Sequence, residues 1–206
     1  MNAPAVVILA GGQSRRMEGK AKPLLPLQNR PLIQHVIDRM APQAGAIAIN
    51  APLGSLPDFG LTMLPDTIPD QPGPLAGILA AMLWVKDRTP QNGALDGSSF
   101  VITVPADAPF LPGDLIPRLI LTHDEAPDYP VIAASGMRRH PVCGLWPIAL
   151  AETLHMEITK GTRRVLDWTT QTCARIADFP ETVPDSFFNI NTPADLTMAE
   201  HLLDAP

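Results

Sequence analysis

The hydrophobic pattern of this chain changes period again and again: short continuous apolar runs alternate with longer stretches in which apolar residues recur at helical spacing. This alternation constrains the fold more than any other feature. It is what βα units around a parallel sheet require, since strands covered on both faces are apolar throughout and their crossover helices only on one side. The spacing predicts strands over 5–10, 46–50, 61–64, 100–104, 131–134, 142–146, 174–177 and 187–190. The fold class that follows is α/β, built on a mostly parallel sheet.

Helices are predicted between these runs. Leu32, Ile33, Val36, Ile37 and Met40 make one helical face, with Pro31 suited to the first turn. Further helices are expected over 74–86, 113–123, 148–157 and 163–170. The last helix is the clearest: Thr192 is the N-cap, Pro193 sits at N1, Asp195 at N3, and Leu196, Ala199, Leu202 and Leu203 form the buried stripe. Residues 87–99, with Asn92-Gly93 and Asp96-Gly97, read as a surface loop.

Composition removes several classes. With 15 Lys+Arg against 21 Asp+Glu in 206 residues, the net charge of −6 argues against bulk nucleic-acid binding. The longest apolar run, Leu75 to Val85, is about half of the ~20 residues that a membrane-spanning helix needs. A secretion signal fails because no Lys or Arg precedes the first apolar run. Cys143 and Cys173 have no CxxC or Cys/His spacing, so two buried thiols in a reducing, cytoplasmic setting are expected, without disulfide or zinc. The length suits a single domain over 1–206.

The sharpest local feature follows the first strand: Leu9-Ala10-Gly11-Gly12-Gln13-Ser14-Arg15-Arg16-Met17-Glu18-Gly19-Lys20-Ala21-Lys22-Pro23-Leu24-Leu25. Glycines let successive backbone N–H groups approach phosphate oxygens with no side chain in the way. Residues 15–30 carry five basic residues and one acid within an acidic chain, which is the local field a polyphosphate needs. The order is neither the P-loop nor GxGxxG. Asp107, just past a buried strand, can hold Mg²⁺ against substrate phosphates or simply shape a turn. Asn50 and Asp66 also terminate or follow short strands, as ligand-contacting or generic turn residues; Gly73 and Gly77 allow close approach to the backbone or merely punctuate a helix start. Arg138-Arg139-His140 and the run from Lys160 to Arg164 form a second basic cluster, suited to a second phosphorylated ligand or to a solvated face. Asn189 and Asn191 flank Ile190, so strand alternation turns both amides to one side.

The seventeen-residue string resembles the signature of the molybdenum cofactor guanylyltransferases, the MobA family of the nucleotidyltransferase group. Pro65-Asp66-Thr67 with the segment from Gln71 to Gly77, the run from Val104 to Phe110, and the segment from Asn189 to Pro193 follow in the family's order, so the resemblance covers nearly the whole chain. It implies a Rossmann-like three-layer sandwich, with the N-terminal part binding GTP and the C-terminal part binding molybdopterin. Leu9, Ala10, Gly11, Gly12, Lys22, Asn50, Asp66, Gly73, Gly77 and Asp107 are implied GTP-site residues, with Arg16, Lys22 and Asp107 catalytic and Asp107 the Mg²⁺ ligand. Asn189 and Asn191 are implied on the pterin side. Two positions depart from the family string: Glu18 stands where Gly is usual, and Ala21 where Asp is usual.

The reaction implied is transfer of GMP from GTP to the phosphate of Mo-molybdopterin, giving the guanine dinucleotide and pyrophosphate, with molybdoenzymes or their chaperones receiving the product. The alternatives are a CTP-dependent enzyme acting on molybdopterin or a sugar or polyol phosphate, and a non-catalytic nucleotide-binding adaptor. Leu-Ala-Gly-Gly, where cytidylyl relatives more often show Leu-Ala-Ala-Gly, favours GTP.

Overall fold

The computed structural model describes residues 4–11, 21–68, 73–88 and 99–204. Its core is a seven-stranded sheet. In chain order the strands are β1 (Ala5–Leu9), β4 (Ala46–Asn50), β5 (Thr62–Leu64), β6 (Phe100–Pro105), β7 (Val131–Ser135), β8 (Arg138–Pro147) and β9 (Arg175–Phe179); β2 (Pro26–Leu27) and β3 (Arg30–Pro31) form a separate small hairpin. Across the sheet the order is β5-β4-β1-β6-β8-β7-β9, and only β8 runs antiparallel to its neighbours β6 and β7.

Alternation along β1 builds both faces at once. Val6 and Ile8 pack with α1 (Leu32–Met40) and α3 (Leu115–Asp124), through Ile33, Val36, Leu115 and Leu119. Val7 and Leu9 point the other way, towards α2 (Pro74–Arg88), α4 (Ala151–Lys160) and α5 (Val165–Gln171). Each fully buried side chain such as Ile8 or Leu79 contributes roughly 1.5–3 kcal/mol. This is the expected three-layer arrangement. A third, smaller cluster joins α6 (Pro193–Asp204) to Leu25, Leu27, Leu32, Phe110 and Ile190, and so carries the end of the chain to the residues just after the glycine loop.

Four expectations are corrected. Residues 187–190 are not a strand; Ile190 N–H instead donates to Asp107 O at 3.0 Å, so the segment is tied to the β6 loop as irregular chain. Pro31 is not helical: it closes the hairpin, whose turn residues Gln28 and Asn29 adopt φ of 47° and 62°, the left-handed pair a tight two-residue turn needs. The strand predicted over 142–146 begins at Arg138. Ile132 pairs with Gly144 but Ala133 with His140, so 141–143 bulge out of β8 around Pro141, where a residue without an N–H is tolerated. Finally, Cys143 is buried but Cys173 is exposed, with φ of 53°. No helix among the described residues is long and apolar enough to cross a membrane.

Candidate active site

The chain runs from β1 outward to β4 and β5, then returns to place β6 on the other side of β1. That reversal opens a crevice at the carboxyl ends of β1 and β6, where open α/β sheets bind ligands. The strand ends are laced together: Ala10 N–H donates to Asn50 O at 2.9 Å, and Ala106 N–H to Leu9 O at 3.1 Å. Leu9, Ala10 and Gly11 therefore lie between Asn50 on one side and Asp107 on the other.

Lys22 opens a 3₁₀ turn, Lys22–Leu24, that brings its side chain over the crevice. Its ammonium pairs with the Asp107 carboxylate and donates to Asn191 Oδ1 at 2.7 Å. The two charged side chains are only 14% and 20% exposed, so water screens them less than a surface pair. Asn191 is itself pinned. The Thr192 and Asp195 capping box holds the start of α6: Asp195 Oδ2 accepts from the N–H groups of Asn191 and Thr192, both at 2.8 Å, while Asp195 N–H donates to Thr192 Oγ1 at 3.2 Å. Partial burial alone would raise the Asp195 pKa, but those hydrogen bonds, with Lys22 nearby, outweigh it and hold the carboxyl below its ordinary value.

On the opposite side, Asn50 is buried and its amide nitrogen donates to Leu64 O at 3.0 Å and to Asp66 Oδ1 at 2.9 Å. Gly73 adopts φ of 152°, a conformation that L side chains rarely take, and its carbonyl accepts from Ala76 N–H at 3.1 Å as α2 begins. Gly77 lies in the first turns of α2, against Asn50. Gly12 and Arg16, with Glu18 and Pro72, lie outside the described residues.

Beyond Lys22 the crevice continues into a cavity of about 400 Å³ lined by Arg138, Arg139, His140, Phe187, Asn189 and Asn191, among others. Both asparagines reach it although no strand alternation puts them there. His140 stacks on Phe187 with ring centroids 4.2 Å apart and planes 9° off parallel, and its Nε2 is hydrogen-bonded to Ser135 Oγ at 2.8 Å. Burial lowers the His140 pKa, with Arg138 acting the same way and Asp185 opposing, so the ring is held towards its neutral form. Cys143 also lines the cavity; burial, with Asp107 adding, pushes its thiol pKa far up, which leaves it inert as a nucleophile. The second basic cluster divides. Lys160 pairs with Glu157 at 2.8 Å and Arg163 donates to Ile158 O at 2.8 Å, both at the end of α4, so neither is among the residues lining the cavity.

Sequence reading missed Phe187 as a site residue, because its apolar neighbours suggested a strand, and saw Asp195 only as a helix cap. The Thr-x-x-Asp spacing was the available signal for Asp195; nothing local marks Phe187. Among the described residues no group of three or more His, Cys, Asp or Glu could cage a metal ion. A single carboxylate at the carboxyl edge of the sheet nevertheless suits Mg²⁺, which keeps several waters and binds through one or two carboxylates plus substrate phosphates.

The doubly covered sheet and the site at its carboxyl edge define the class: a Rossmann-like α/β nucleotidyltransferase. The chain belongs to the family described as the MobA-like NTP transferase domain, whose model matches residues 6–174. It is 41% identical over 201 residues to the molybdenum cofactor guanylyltransferase of Nitrobacter hamburgensis, covering 95% of this chain and 92% of that one. It is 42% identical over 208 residues to that of Rhizobium meliloti, covering 96% and 90%. Among solved structures, the molybdopterin-guanine dinucleotide biosynthesis protein A of Archaeoglobus fulgidus superposes with a TM-score of 0.75 at 22% identity, over 97% of this chain and 98% of that one. The 2-C-methyl-D-erythritol 4-phosphate cytidylyltransferase of Thermus thermophilus shares the fold, with a TM-score of 0.66 at 16% identity over 100% of both chains. The protein is thus an enzyme, a nucleotidyltransferase of the MobA type, in the family of molybdenum cofactor biosynthesis.

Proposed function

We propose that the protein transfers GMP from GTP to the terminal phosphate of Mo-molybdopterin. A phosphate oxygen of the acceptor forms a bond to the α-phosphorus of GTP, the bond from that phosphorus to the bridging oxygen breaks, and pyrophosphate leaves. The attacking group is already an anion, so no strong general base is required, and rate depends on positioning and charge neutralisation. The observation that carries this reading is the Lys22 ammonium held at the carboxyl edge between Asp107 and the cavity behind Asn191, in a chain about 40% identical to proteins named molybdenum cofactor guanylyltransferase.

In this reading the residues of the N-terminal half, with Asp107, serve the nucleotide. Gly11 and Gly12 offer backbone N–H groups, Arg16 and Lys22 hold the triphosphate, and Leu9, Ala10, Asp66, Gly73 and Gly77 surround the nucleoside. Asp107 is the residue that would hold Mg²⁺, which when bound offsets negative charge on the phosphates. The cavity suits a flat, anionic second substrate: the His140–Phe187 stack presents planar rings, Arg138 and Arg139 bring positive charge, and Asn189 and Asn191 supply amides. A cytoplasmic site of action and hand-off of the product to molybdoenzymes or their chaperones complete the proposal.

Incubation with Mg²⁺, Mo-molybdopterin and each nucleoside triphosphate in turn, with the product identified by mass, tests it. The guanine dinucleotide should form with pyrophosphate. A cytosine dinucleotide would reassign the nucleotide, and binding without turnover would make the chain an adaptor.

A further inference from the structure

We infer that His140 is a specificity-determining residue: the face of its ring turned away from Phe187 is the platform on which a flat heteroaromatic acceptor stacks, and it selects such acceptors over sugar or polyol phosphates. The inference rests on the reading of the cavity as the second-substrate site.

Two aromatic rings line the cavity, and they are not equivalent. Phe187 is only 4% exposed: His140 lies nearly parallel over one face at 4.2 Å, and Phe179 meets the ring at 73° with centroids 5.2 Å apart. A ring so covered supports its neighbour and has almost no surface to give a ligand. His140 is half-buried, so it is the member of the pair that retains surface.

The polar atoms of His140 narrow its role. Nε2 is committed to Ser135 Oγ at 2.8 Å, and Ser135 is itself buried, so swinging the ring away would leave a buried hydroxyl without that partner. Whichever atom of that pair donates, only Nδ1 and the outer face of the ring remain for a ligand. Burial, aided by Arg138 and opposed by Asp185, holds the imidazole towards neutrality. The ring therefore serves as an aromatic surface, while positive charge comes from Arg138 and Arg139.

The two rings are also held at a fixed spacing. His140 lies on β8 opposite Ala133 of β7, and Phe187 on the irregular segment before α6. One carboxylate joins them: Asp185 Oδ1 accepts from Phe187 N–H at 2.9 Å, and Asp185 Oδ2 accepts from Arg138 Nη1 at 3.3 Å. The platform is thus assembled before a ligand arrives, which spares the entropy of ordering it on binding. A sugar or polyol phosphate would satisfy Arg138 and Arg139 equally well, but it has no π face to lay on His140.

Fluorescence titration with 6-carboxypterin, a flat heteroaromatic anion, tests the assignment, with ribose 5-phosphate as a competing anion that lacks a π face. Melting curves and GTP titrations accompany each variant. Wild type should bind the pterin about tenfold more tightly than ribose 5-phosphate, and His140→Phe, which keeps a flat face, should stay within about threefold of wild type. His140→Leu and His140→Gln keep bulk or polarity without that face; each should lose about tenfold for the pterin and little for ribose 5-phosphate. GTP affinity should be the same in all of them. With Mo-molybdopterin as acceptor, the Leu and Gln variants should raise its KM, whereas general loss of fold would lower kcat and GTP binding together. If one of these two does not fold, the other decides against His140→Phe. Pterin affinity at the wild-type level in His140→Leu and His140→Gln would overturn the role of His140 and leave the reading of the cavity standing. A loss in His140→Phe as large as in His140→Leu would overturn stacking in favour of Nδ1. A wild type that binds neither probe, or binds ribose 5-phosphate more tightly, would overturn the reading of the cavity and this inference with it.

Discussion

Lys22 and Asp107 stand 85 positions apart, yet the ammonium of one rests on the carboxylate of the other, with Asn191 Oδ1 as the third corner of the contact. Three distant segments meet in that triangle: the turn after the glycine loop, the loop after β6 and the cap of α6. A cation and an anion so placed neutralise each other; on the proposed function, an entering polyanion would draw the ammonium to phosphate and free the carboxylate for a divalent ion.

Lys22→Met should lower turnover by more than tenfold, because a charged hydrogen bond to phosphate is worth ~1.5–3 kcal/mol. The substitution also strips Asp107 of its partner, so stability should fall, and Asp107→Asn should recover part of that loss in the double variant. Pyrophosphate release and denaturant unfolding of the three variants and wild type measure both effects. Wild-type turnover in Lys22→Met would mean that the phosphates sit elsewhere.

Asp107→Asn alone keeps the shape and an acceptor for Lys22 but removes the charge that a hard dication requires. Most activity should disappear together with its dependence on Mg²⁺ concentration, while the melting temperature changes little. A normal Mg²⁺ titration of activity in this variant would show that Asp107 only shapes the loop, whose carbonyl holds Ile190 N–H.

Asn189 and Asn191 should separate. Both line the cavity, but only Asn191 reaches Lys22. Asn189→Ala should weaken the second substrate by about 1–3 kcal/mol and leave GTP affinity unchanged; Asn191→Ala should weaken both. Equal effects of the two variants on GTP binding would show that the Lys22 contact carries no weight.

Stability should fall in mild acid. Burial lowers the pKa of His123 and of His140, so the unfolded chain binds protons that the folded chain resists. Their contribution is complete above the ordinary histidine value of about 6.5 and is lost as pH falls from there through the lowered folded values. Urea unfolding at pH 7.5 and 5.5 should show the decline, and His123→Leu should flatten part of it, since His123 is buried edge-on against Phe100 with Nδ1 unpartnered among the described residues. An identical slope in that variant would exclude His123 as a source.

Thr192→Ala should cost about 0.5–2 kcal/mol, the usual range for an N-cap. Asp195→Ala should cost a similar amount and also lower turnover, because Asp195 Oδ2 holds the Asn191 N–H beside Lys22. Thermal melts with pyrophosphate assays distinguish the two; unchanged turnover in Asp195→Ala would mean that the cap does not reach the site.

Much of this molecule was written locally. The continuous apolar runs of β1 and β4, the helical stripe of α1 and the Thr192-Pro193-x-Asp195 cap are short-range patterns whose physics involves few neighbours, and the structure has them where the spacing put them. Asp107 was also legible, because a carboxylate just past a buried strand stands at the edge where open sheets bind ligands. What the sequence could not determine depends on partners far along the chain. The apolar run at 187–190 has strand character, but a strand needs a neighbour with free hydrogen-bonding groups, and the β6 loop takes Ile190 N–H instead. The basic residues at 138–140 and 160–164 look like one cluster, yet the β8 bulge turns the first group into the cavity while the end of α4 engages Lys160 and Arg163. Asn50, Gly11 and Gly77 each read as a separate feature of a ligand site, and only their packing shows one side chain filling the space that two glycines leave, because steric exclusion acts between atoms in space whatever their separation along the chain.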